Sequence, residues 1–129
     1  MTSAANAVEK VSYDLLSEGE DIGAAVYQHV PQDTPPPVII IGDLEVQPLA
    51  LKEDPDRRVS LTVLTITEAE ERKSMLELQE QIESRMDGAR IEHDGWILAF
   101  TQVGSDAVLT PDGDGYVGTN SFTIMALRA

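Results

Sequence analysis

Pro35-Pro36-Pro37-Val38-Ile39-Ile40-Ile41-Gly42-Asp43 is the stretch on which the fold turns. Four consecutive β-branched apolar residues leave no solvated face, which predicts a strand buried on both sides near the middle of a sheet. The prolines before it donate nothing to a ladder and predict an extended, polyproline-like approach. Gly42 then releases the chain into a polar, charged segment.

Upstream, Ala5, Val8, Val11, Leu15 and Leu16 recur at near-helical spacing and predict an amphipathic helix over about residues 4–18, with Gly19 as its C′ residue. Ala25 to Val30 reads as a short strand closed by Pro31. Downstream, Leu44, Val46, Leu49 and Leu51 alternate loosely around Pro48, and a proline there indicates an edge strand or a loop arm. A charged turn runs from Lys52 to Arg58, and Val59 to Ile66 alternates as a strand. Thr67-Glu68-Ala69-Glu70 reads as a capping box with Thr67 as N-cap and Glu70 at N3. It would open a helix from Thr67 to Asp87, about 30 Å long. Met75, Leu78, Ile82 and Met86 form its buried stripe, Glu71, Glu77, Glu80 and Glu83 a solvated outer face, and Gly88 its C-cap. Two more strands follow, Trp96 to Val103 and Tyr116 to Leu127. The expected fold is α+β, a mostly antiparallel sheet flanked by an N-terminal helix and one long helix. Residues 1–129 are expected to form a single domain with a possible arm or extended loop at 43–58.

The 129 residues include Lys+Arg 9 against Asp+Glu 23, a net charge of −14. Such a surface repels phosphate, which argues against a conventional nucleic-acid or anionic-lipid binder; DNA near this chain should slide past. With 42% hydrophobic but 5% aromatic residues, the core must be mainly aliphatic. The absence of cysteine excludes disulfides, a thiol nucleophile and zinc–thiolate chemistry. No apolar run approaches the roughly 20 residues of a spanning helix, and no secretory pattern opens the chain, so it reads as soluble and non-secreted.

Asp112-Gly113-Asp114-Gly115 begins like a calcium loop. Tyr116 stands where an oxygen ligand belongs, Val117 where a glycine belongs and Thr123 where a bidentate carboxylate belongs. A β-hairpin turn is the better reading. Glu92-His93-Asp94 offers a base with flanking acids, but adjacent residues of an extended segment face opposite ways, and His93 reads as a solvated loop histidine. No catalytic constellation, metal site or cofactor-binding motif is present in the sequence.

Four features in order do carry a resemblance. They are the N-terminal helix, a short strand ending in Val30-Pro31, then Pro37-Val38-Ile39-Ile40-Ile41-Gly42, and a strand (Val59 to Ile66) running into a helix ahead of the Asp112–Gly115 turn and a final strand. From about Ala5 to Leu127 the chain resembles the small tail-completion, or tail-terminator, proteins of long-tailed phages and phage-derived gene transfer agents. The resemblance implies a non-enzymatic structural part with the α+β fold already read. It implies a homo-oligomer, six copies closing into a ring on the head-proximal end of a tail tube. That ring stops tube growth and offers a docking surface to the neck. The implied partners are the tail tube protein and a neck or head-completion protein, with DNA passing through the lumen unbound and no membrane. For one side of the subunit contact the proline-broken segment offers Leu44, Val46, Leu49 and Leu51, with Arg57 and Arg58 beside them. The other side is expected on the edge of the last strand. A neck connector, a free-standing acidic regulator or chaperone, and, last, an enzyme remain the alternatives.

Overall fold

The computed structural model describes residues 2–29, 33–49, 55–68 and 72–129. Helix α1 (Ala4–Ser17) leads to strands β1 (Ala25–Tyr27), β2 (Val38–Pro48) and β3 (Arg57–Glu68), then to helix α2 (Arg72–Met86). Strands β4 (Arg90–His93), β5 (Trp96–Leu109) and β6 (Gly115–Arg128) complete the chain. They form one sheet in the order β1-β2-β3-β6-β5-β4, antiparallel at every pairing except β1 with β2. The α+β fold and the mostly antiparallel sheet agree with the sequence.

The expected long helix does not form. Helix α2 has 15 residues, and Thr67, expected as its N-cap, and Glu68, expected in its first turn, are the last residues of β3. There Thr67 pairs with Tyr116 and Glu68 with Gly115. Backbone pairing in a ladder of twelve residue pairs with β6 satisfies more polar groups than a cap does, so the capping box yields to the ladder. Glu70 lies outside the described residues. The buried stripe is as expected, with Met75, Leu78, Ile82 and Met86 all enclosed.

The strand Val38–Ile41 is also less central than expected. The middle of the sheet is β3 against β6, and β2 is flanked on its outer side only where Ala25–Tyr27 pairs with Val38–Ile40. Val38, Ile39 and Ile41 are buried, but Ile40 is only partly so. The Pro36–Pro37 peptide is cis, in place of the extended approach expected from the prolines. One strand was unforeseen. His93, expected in a loop, lies on β4, whose hairpin with β5 turns on Asp94 (φ 46°) and Gly95 (φ 85°). This is the Asp-Gly pattern of a tight hairpin.

Both helices pack on the same face of the sheet. Ala7, Val8, Val11 and Leu16 of α1 and Ile82 and Met86 of α2 meet Ile39, Ile41, Val59, Leu61, Val63, Leu98, Phe100, Phe122 and Ile124. Arg85 joins the two helices. Its Nη1 donates to Leu16 O at 2.8 Å and Glu18 O at 3.3 Å, and its Nη2 donates to Glu20 O, so the carbonyls at the C-terminus of α1 are met by a cation. Arg85→Met keeps the aliphatic stem and removes these bonds; it is expected to cost about 2 kcal/mol in urea unfolding. An unchanged midpoint would mean that water serves those carbonyls equally well.

Candidate assembly surface

The second face of the sheet carries no helix. Across its two central strands it presents Ser60, Thr62, Leu64 and Ile66 from β3 and Val117, Thr119, Ser121, Thr123, Met125 and Leu127 from β6. None of these ten is charged; the charges on this face lie toward its borders, Arg58 and Glu68 at the ends of β3, Glu45 on β2 and Asp106 on β5. A trough of about 490 Å³ runs across this face, with Ser60, Thr62, Ser121 and Thr123 in its lining, Asp43 and Glu45 to one side and Val103 to the other. A sheet face whose centre is free of charge and rich in hydroxyl and apolar groups is suited to contact with protein. The acidic residues of α2, Glu77, Glu80 and Glu83, are exposed on the opposite layer.

The sheet ends in two unequal margins. Beyond Ile40, β2 has no outer partner strand among the described residues. On the far side, β4 pairs β5 only from Trp96 to Ala99, extended by the Phe100–Ala89 backbone bond at 2.8 Å. Each free margin contains a bulge, at Ile41/Leu44 in β2 and at Gln102/Gly104 in β5.

The segment named in advance as a contact divides between these surfaces. Val46 pairs with Val59 and Pro48 with Arg57, so the described part of 43–58 is built into the β2–β3 hairpin. Leu44 is partly buried and packs against the core, leaving it little to offer a partner. Val46 is 41% exposed. Leu49 is half-buried and its N–H reaches Asp56 O at 3.4 Å, while Leu51 lies outside the described residues. Arg57 is half-buried, with Nη1 donating to Asp56 O at 2.9 Å; Arg58 is exposed and pairs with Gln47. The last strand, expected to supply the other contact, has no free edge, because β6 is paired by β3 on one side and β5 on the other. The exposed edge on that side is that of β5, which runs six residues beyond Val103, the end expected from its apolar pattern. Val108 and Leu109 just ahead of the Asp-Gly turn were the available signal.

That turn is a hairpin turn, as expected. Thr110 Oγ1 donates to Asp112 Oδ1 at 2.6 Å, and Asp114 N–H donates to the same oxygen at 3.1 Å. These bonds, the threonine's first, hold the Asp112 carboxyl below its ordinary value of 3.8. A lowered value means that the turn's share of stability is complete above pH 3.8 and fades as the pH falls through the lowered one. Asp112→Asn should remove that acid dependence, which a titration followed by NMR of the Gly113 amide would show. Among the described residues no group of three His, Asp or Glu is placed to hold a metal, and no helix is long and apolar enough to cross a membrane.

The described residues thus form a small α+β unit with one helix-covered face, one open face uncharged at its centre, and stretches of β2 and β5 that lack an outer partner strand. The profile of the tail completion protein gp17 family matches residues 16–126, and the chain belongs to that family of structural phage-tail components. Its fold is similar to that of a chain in the virion of a native gene transfer agent particle, with a TM-score of 0.86 at 17% identity over 98% of both chains. No curated protein sequence matches it.

Proposed function

We propose that copies of this chain close into a ring, by analogy six, on the head-proximal end of a phage-like tail tube. The ring ends tube polymerisation and presents the neck protein with a docking surface. The chain performs no catalysis and needs no cofactor in this role. It acts at the tail–neck junction of the virion, having been made in the host cytoplasm. The observation that carries the reading is membership of the tail-completion family over residues 16–126. The uncharged centre of the open sheet face, in a chain of net charge −14, supports it.

Six copies at −14 each would carry roughly −84, a field that keeps DNA moving through the lumen. The same charge opposes closure, so moderate salt is expected to favour assembly by screening it. Light scattering across a salt series checks this, and dissociation on adding salt would mean that attractive ion pairs hold the contacts.

The decisive experiment removes the chain from particle assembly and measures tails by negative stain. Overlong tubes are expected. Tails of normal length that fail to join heads would instead indicate a neck connector, and normal tails bearing heads would sink both readings.

A further inference from the structure

We propose that the ring closes by strand addition, the free margin of β5 in one copy pairing antiparallel with the free margin of β2 in the next. This rests on the ring reading and adds which surfaces close it.

Large apolar side chains are exposed at five places among the described residues: Val46 at 41%, Leu76 at 51%, Val103 at 63%, Val108 at 58% and Leu109 at 46%. Four of the five lie on the two free margins, one in β2 and three in β5. A folded chain gains nothing by holding valine and leucine in water along an unpaired strand, and such an edge is a template for another chain. The two margins are also close in length, eight residues from Ile41 to Pro48 and seven from Val103 to Leu109.

Their placement selects the partner. The margins lie on opposite sides of the sheet, so one copy's β5 can meet another's β2 without using either surface twice. That is a heterologous contact, the kind that closes rings. Direction agrees as well. Two strands separate β2 from β5, each antiparallel to its neighbours, so β2 and β5 run in opposite senses. A rotation axis roughly along the strands preserves those senses and brings the two margins together antiparallel, the better-bonded arrangement. A second copy therefore supplies what each margin lacks. The Asp106 carbonyl is already engaged by Gln79 Nε2 at 2.6 Å, so the pairing draws on the other groups of the edge. Asp43 and Glu45 on one margin face Asp106 on the other, which places like charges across the seam. This is a local source for the salt dependence.

The chain has no cysteine, so introduced pairs report without background. Glu45, Gln47, Asp106 and Val108 are exposed and project from the uncovered face. Each pairing of Glu45→Cys or Gln47→Cys with Asp106→Cys or Val108→Cys, sampling neighbouring registers, is carried into particles and mildly oxidised. The expected result is a ladder of covalent multimers from at least one double variant, with every single variant remaining monomeric. Urea midpoints of the purified variants confirm that they fold. A ring seen on the tail end with no ladder from any pairing would overturn the strand-addition inference and leave the ring intact. Dimers from Val108→Cys alone would mean like-with-like pairing and overturn it too, as would cross-linking to a different virion protein. The ring reading stands or falls separately, on tail length in particles without the chain.

Discussion

Phe122→Ala is expected to lower the free energy of unfolding by about 3–5 kcal/mol. Phe122 is 1% exposed, one of two phenylalanines, and lies on β6 between Leu61 of β3 and Gln102 of β5. It sits where the two longest antiparallel pairings share a strand, beneath the helical layer. The core around it is mainly aliphatic, with Phe100 and Trp96 as its other aromatic members. A domain of this size has about 5–15 kcal/mol in total, so the variant should be largely unfolded at modest urea. Phe122→Leu retains most of the volume and should cost less than about 1.5 kcal/mol. Urea unfolding of the two variants side by side gives the answer. Equal midpoints would mean that the site collapses around the vacancy and that the ring is not what holds the layers together.

Gly118→Val is expected to be next, at about 2–3 kcal/mol, by the opposite mechanism of overpacking. Gly118 lies on β6 directly under α2. A Cβ there would run into Met75 Sδ and stand 2.6 Å from Gln79 Nε2. Both neighbours belong to the buried side of α2, and Gln79 is also tied to Asp106 O. The helix must therefore lift or the glutamine must give up its carbonyl. Hydrogen exchange should be faster in α2 than in the β3–β6 ladder, with Gly118→Ala intermediate. Native-like protection throughout α2 would show that the helix is not seated on that glycine.

What could be read from the sequence was mostly local. The stripe of Met75, Leu78, Ile82 and Met86, the alternation from Val59 and the turn at Asp112–Gly115 are each set by residues a few positions apart. The errors fall where a distant strand decides. Thr67 has a good capping sequence, yet its position opposite Tyr116 takes it into the sheet. Val38–Ile41 looks central because it is wholly apolar, but burial beside β1 and under α1 needs no central place. Asp94-Gly95 carries a hairpin signal, but the strand before it is only four residues long and mostly polar, too short to show an alternation of its own. For the candidate interface, the loosely apolar run around Val46 was visible, since one proline and a set of branched residues announce an edge. The β5 margin was harder to see, because Gly104, Ser105 and Asp106 interrupt the apolar pattern just where the bulge falls.

Those two bulges bear on how such a chain survives before it is used. A straight outer strand adopts almost any extended peptide, including one still leaving the ribosome, and copies of it stack without limit. A kinked strand accepts only a mate bent in the same place, so casual partners find few bonds to make. With both unpaired margins crooked, the protein can accumulate at high concentration without fibre growth, since only a mate of matching shape finds bonds to make.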